Sequence, residues 1–165
     1  RQMCIRDSYI KVNKNNLDQK LRYNDGGNVH MDFHGATNTT IKFIIDKYGI
    51  DTMNDIFKKV GNHVYKDIKD HIKKVNIKML AKHWQHFFDR ENADYNISIN
   101  DEEIILTVNS CTAYEHVRKL VGNVSPNFCD QTIKTNEALA EDTPYEIKTE
   151  ILGEAACRQT IRKRA

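Results

Sequence analysis

The apolar residues of this chain change their spacing along the sequence, and this change limits what the chain can fold into. Between residues 37 and 88 they recur every three or four positions, as on one face of a helix. Over residues 95–108 they fall on alternate positions, which is typical of a β-hairpin. The helical spacing returns at 113–140, and the alternation returns at 145–161. Strands that come as hairpins pair antiparallel, so the sequence predicts an α+β fold.

Three helices are predicted in the N-terminal half, packed on a small antiparallel sheet. The first runs from Thr37 to a stop at Gly49, and the second carries an apolar stripe from Met53 to Ile72. The third carries Ile77 to Phe88. Two hairpins then form the sheet, separated by two helices, the second of which is predicted to begin at Ser125-Pro126, because proline fits a first helical turn.

The N-terminal segment is predicted to lie outside the fold. Residues 1–8 resemble the translated read-through of a sequencing adaptor, and we exclude them, with Cys4, from the fold prediction. Residues 9–30 form a polar lead, and residues 31–165 are predicted to form a single domain.

Charge and composition argue against several classes of partner. Lys and Arg number 25 against 23 Asp and Glu, which gives a net charge of +2 and no reason to expect a nucleic acid or an anionic membrane. No apolar run reaches the roughly 18 residues that cross a bilayer. The sequence has no G-x-G-x-x-G, P-loop, H-E-x-x-H or G-x-S-x-G motif. Three cysteines without a signal peptide favour a reducing cytoplasm.

The three remaining cysteines are candidate site residues. Cys111 falls where a strand meets a helix, Cys129 near the start of a helix, and Cys157 on a strand. Because a helix N-terminus favours a thiolate, Cys129 is the best thiolate candidate. Their spacings match no zinc knuckle, and buried cysteines that only pack are the alternative.

Two histidines are candidate partners of these thiols. His116 follows Cys111 by about one helical turn, so the two side chains are predicted to approach each other, as in an activated thiol–imidazole pair. His34 precedes the first predicted helix. The alternative for each is a solvated or core histidine.

The order of several short motifs resembles the L-2-amino-thiazoline-4-carboxylic acid hydrolase-like family of small bacterial proteins, over about residues 31–164. The motifs are Asp32-Phe33-His34-Gly35-Ala36, His83-Trp84, Cys111-x-x-x-Glu115-His116, Phe128-Cys129 with Asn136, and Gly153-x-x-x-Cys157. The last of them also looks like the terminal hairpin of vinyl-reductase-type ligand-binding domains.

The resemblance implies a hydrolase that opens the ring of a small thiazoline carboxylate. Cys111, Cys129 and Cys157 would meet where the sheet joins the helices, with His34 or His116 as the proton shuttle. In a second version Cys111, Cys129, Cys157 and His34 bind zinc or another divalent metal, which activates water. The substrate carboxylate would need a cation or a helix N-terminus.

Two other interpretations remain open. The same residues are compatible with a non-enzymatic sensor domain that binds a small molecule or a metal in a cysteine-lined pocket. They are also compatible with cysteines that pack in the core and have no pocket beside them.

Overall fold

The computed structural model describes residues 30–100 and 102–164, and within them the fold is α+β, as predicted. The predicted extra segment 1–8 and almost all of the polar lead 9–30 lie outside the described residues. The helices and the strands follow in the predicted order, and their bounds are α1 Asp32–Tyr48, α2 Ile50–Lys59, a π-helical turn Val60–Val64, α3 Lys66–Lys73, α4 Lys78–Arg90, β1 Asp94–Ile99, β2 Glu103–Ser110, α5 Thr112–Val121, α6 Asp130–Ala140, β3 Tyr145–Gly153 and β4 Ala156–Lys163.

Three helix boundaries differ from the predictions. Helix α1 begins at Asp32, five residues before Thr37. The apolar spacing did not predict this start, because the buried face before Ile41 is formed by the polar residues His34 and Asn38. The second predicted helix is interrupted by the π-helical turn, where the backbone of Gly61 approaches α6. Helix α6 begins at Asp130 rather than at Ser125-Pro126, since the preceding residues form turns.

The four strands form one antiparallel sheet in the order β1-β2-β4-β3. The first hairpin closes at Asn100, whose side-chain oxygen accepts hydrogen bonds from the backbone N–H groups of Glu102 and Glu103 at 2.9 and 2.8 Å. The two hairpins join through β2 and β4, and Cys157 on β4 lies in register between Val108 on β2 and Ile151 on β3.

The helices contribute to two hydrophobic clusters. The larger cluster packs α3, α4 and α6 against the sheet, and Ile72, Leu80, Leu106 and Ile161 are fully buried in it. The smaller cluster joins α1, α2 and α5 to Phe128. Cys111 packs against both clusters, so the start of α5 lies at their junction. None of the described helices is long and apolar enough to span a bilayer.

Candidate functional site

A pocket of about 100 Å³ lies beside the junction of the two clusters. Its walls come from the N-terminal ends of α1, α5 and α6, the C-terminal end of α4 and the hairpin of β3 and β4. The lining is mostly apolar, with Phe87, Phe88, Val108, Phe128 and Ile151 among its members. The structure therefore brings four helices and three strands, including β2 through Val108, to one small cavity.

Four of the five predicted site residues line this pocket. Cys111, Cys129, Cys157 and His34 all belong to its lining. Cys111 and Cys129 are the residues directly before α5 and α6, and the backbone N–H of Cys111 donates to the carbonyl of Ala155 at 2.7 Å. This bond joins the start of α5 to the turn between β3 and β4, which brings Cys157 close as well.

The three thiols have pKa values above the ordinary value. Burial raises the pKa of Cys129 to about 11 and that of Cys157 to about 11. Burial also raises the pKa of Cys111, against the opposing effect of the backbone N–H groups of Tyr114 and Ala113. The prediction that Cys129 is the best thiolate candidate is therefore wrong, because loss of solvent outweighs the effect of the helix N-terminus. All three side chains are neutral thiols at pH 7.

A buried histidine and a buried glutamate lie side by side at one end of the pocket. His34 Nε2 lies 2.9 Å from Glu91 Oε1, and the side chains are 10% and 0% exposed. This contact does not meet the geometry of a hydrogen bond, and His34 Nε2 and both carboxyl oxygens of Glu91 have no hydrogen-bond partner among the described residues. Glu91 also lies close enough to Cys111 to raise the pKa of its thiol. His34 therefore faces a carboxylate rather than a thiol.

His116 does not belong to the described pocket lining. Its Nε2 lies 3.2 Å from Asp32 Oδ1, at the start of α1. The predicted thiol–imidazole pair with Cys111 is therefore not formed. Cys111 precedes α5, whereas His116 lies inside that helix and is directed towards α1, so closeness in sequence does not bring the two side chains together.

The zinc set is not assembled in this structure. Although Cys111, Cys129, Cys157 and His34 share the pocket, no group of three or more His, Cys, Asp or Glu side chains within 30–100 and 102–164 is arranged to hold a metal ion.

A second polar group contributes to the pocket from the sheet side. Asn136 Nδ2 on α6 donates to Gln159 Oε1 at 2.7 Å and to Thr149 Oγ1 at 3.0 Å. Gln159 and Thr149 both line the pocket. With its oxygen engaged in this way, the Gln159 side-chain amide directs its nitrogen towards Cys157 Sγ, 3.9 Å away.

The sequence prediction missed Glu91 and the hydrogen bonds that join Asn136 to Thr149 and Gln159. A signal was present in each case. Glu91 continues the apolar stripe of α4 after Trp84 and Phe88 at helical spacing, and Gln159 alternates with Cys157 and Ile161 on the inner face of β4. A polar residue on an apolar face is the feature that indicates such a buried group.

Comparisons with known proteins do not give this chain a family. No family model matches it, and no curated protein matches it in sequence. A solved structure of a trafficking protein particle complex subunit 3 from Naegleria fowleri, covalently bound to palmitic acid, resembles it with a TM-score of 0.49 and 10% sequence identity. The match covers 82% of this chain and 95% of that chain.

The resemblance to the thiazoline-carboxylate hydrolase-like family is therefore wrong. No family model matches the chain, and no curated protein matches it in sequence. The likeness to that subunit is too low to indicate what this chain binds. The short motifs that suggested the family do mark real features of the fold, because four of the cysteine and histidine positions line one pocket.

Proposed function

We propose that this protein binds a small, mostly apolar molecule in the pocket lined by Cys111, Cys129 and Cys157. The observation that carries the proposal is the pocket itself, which has aromatic and aliphatic walls and few polar groups. Its volume of about 100 Å³ is of the same order as a cavity of about 150 Å³ that takes up benzene. A ligand with one ring or a short branched chain suits this space.

The state of the thiols supports binding rather than turnover. A cysteine attacks as its thiolate, and burial raises the pKa of both Cys129 and Cys157 to about 11. Burial raises the pKa of Cys111, and the nearby carboxylate of Glu91 disfavours its thiolate further. Neutral thiols behave as small apolar groups and suit the wall of a binding pocket.

Hydrolysis of a thiazoline carboxylate stays a prediction. Within the described lining there is no Lys or Arg side chain to pair with a substrate carboxylate. We therefore give first place to the binding interpretation, in which the pocket holds a ligand without changing it.

Toluene is a suitable first probe, because it is apolar and close in size to the cavity. The protein would be titrated with toluene while amide and methyl signals are followed by NMR. We expect shifts at residues around the pocket, and we expect Thr132→Phe, which places a ring in the lining, to abolish them.

Glu137→Phe is the matched control, because it adds the same ring to an exposed position on the same helix, outside the lining. This variant should bind toluene as the unchanged protein does. Absence of shifts at the pocket, or shifts that persist in Thr132→Phe, would overturn the proposed function.

A further inference from the structure

Glu91 has an unmet hydrogen-bonding capacity at one end of the pocket. Its side chain is 0% exposed, and one carboxylate oxygen, Oε1, lies 2.9 Å from His34 Nε2. The other oxygen, Oε2, has no hydrogen-bond partner among the described residues. A buried carboxylate oxygen without a donor is unfavourable, so the site is built for a group that is not part of this chain's described residues.

The surroundings of Glu91 favour a positive partner. Glu91 follows the last residue of α4, where the helix carries a partial negative charge that adds to the charge of the carboxylate. Phe87 and Phe88, from the last turn of the same helix, also line the cavity. Aromatic faces attract cations, especially where water is excluded.

We propose that the ligand of this pocket is a small organic cation, a protonated amine with an apolar body, whose N–H groups bind Glu91 Oε2. This assignment rests on the proposed function. The apolar body would lie against the phenylalanine side chains and the thiols. The ammonium group would donate a hydrogen bond to Oε2 of the buried Glu91, whereas His34 lies beside Oε1.

The helix N-termini in the pocket favour an anionic ligand, in contrast to Glu91. Helices α5 and α6 both begin at the lining, and such ends favour negative charge. The thiols of Cys111 and Cys129 stand at these ends, whereas Glu91 Oε2 has no hydrogen-bond partner among the described residues. Comparing the affinity for an amine with that for a carboxylate of the same shape shows whether Glu91 or the helix N-termini determine which ligand binds.

The test compares toluene, benzylamine and benzoate on the full chain by NMR titration at pH 7. The inference predicts that benzylamine binds about tenfold or more tightly than toluene, since a hydrogen bond to a charged group has that effect. Glu91→Gln should reduce the binding of benzylamine to that of toluene. Glu102→Gln, at an exposed position in the first hairpin, should leave both unchanged.

The outcomes separate this inference from the proposed function. If toluene binds and benzylamine binds equally or more weakly, or benzoate binds most tightly, the amine inference is wrong while the binding pocket stands. If none of the three probes binds, the proposed function fails together with the inference. Even if Glu91→Gln does not fold, comparing the three probes on the unchanged protein shows whether the pocket prefers an amine.

Discussion

Asn136 Nδ2 on α6 donates a hydrogen bond to Gln159 Oε1 on β4 at 2.7 Å, and both side chains are buried, 4% and 2% exposed. The bond crosses from the helical layer to the sheet at the wall of the pocket. Its second partner, Thr149 on β3, is reached by the same nitrogen at 3.0 Å. One side chain thereby holds α6 in register with the two strands of the second hairpin and fixes the orientation of Gln159 in the lining.

Asn136→Ala should destabilise the protein by about 1–3 kcal/mol, because it leaves the buried oxygen of Gln159 without a donor. Urea unfolding followed by circular dichroism measures the change in the free energy of unfolding. Asn109→Ala is the matched control, since Asn109 is exposed and bonds only to Asp94 on the surface at 3.1 Å. Equal effects of the two variants would contradict the structural role given to Asn136.

Gly61→Ala should also destabilise the fold. A Cβ atom added at Gly61 would lie 2.8 Å from Ala138 Cβ and 2.8 Å from the carbonyl oxygen of Thr135, and a backbone atom cannot give way easily. Overpacking of this kind typically lowers the free energy of unfolding by about 1–3 kcal/mol. Gly153→Ala is the control, because an added Cβ there meets nothing within 4 Å. A Gly61→Ala variant as stable as Gly153→Ala would show that α6 does not pack closely on the π-helical turn.

The pocket thiols should react slowly with iodoacetamide at neutral pH. With the pKa values of Cys129 and Cys157 at about 11, only about 0.1% of each is thiolate at pH 8. The alkylation rate of the folded protein, followed by peptide mass spectrometry, should keep rising by about tenfold per pH unit to pH 10. In urea the same cysteines should reach a plateau near pH 9. A plateau near pH 9 in the folded protein would contradict the raised pKa values.

His83 should make the fold sensitive to acid. Burial lowers its pKa to about 4, with a smaller contribution from His86, and its ring packs against Tyr65 with the ring centroids 5.0 Å apart. The unfolded chain binds a proton at His83 below about pH 6.5, whereas the folded chain does not until about pH 4. Stability is therefore lost as the pH falls from 6.5 to 4, by up to about 3 kcal/mol.

Urea unfolding at pH 7, 5.5 and 4.5 measures this loss. His83→Phe removes the titrating group and should flatten the decline, and His63→Phe, at an exposed position, should not. If both variants show the same decline as the unchanged protein, His83 is not the group responsible.

The spacing of the apolar residues predicted the order of the elements and the antiparallel hairpins. When one face of a helix or strand is buried, apolar residues recur in the sequence with the period of that element. The same rule missed the start of α1, since His34 and Asn38 lie on the buried face. Asn38 is retained there because its Oδ1 accepts a hydrogen bond from the backbone N–H of Ser125 at 2.8 Å. A hydrogen bond between residues so far apart in the chain cannot be predicted from the spacing of apolar residues.

The candidate site stays a prediction, although Cys111, Cys129 and Cys157 all line one pocket. Each of the three falls at or near the end of an element beside the sheet. The protonation of Cys129 was not predictable from its position before α6, since burial depends on Tyr114, Phe128 and the hairpin beyond it. Glu91 was missed although it continues the apolar stripe of α4, because the residue beside it, His34, is more than fifty residues away in the sequence.

The most direct test of the central claim is a crystal structure of the protein from crystals equilibrated with toluene. We predict electron density for one aromatic ring between Cys111, Cys129 and Cys157, beside Phe128, with these side chains near the positions described. A pocket without density for toluene, at a concentration that saturates a millimolar site, would contradict the claim. So would a structure in which the cysteine and phenylalanine side chains fill the space themselves.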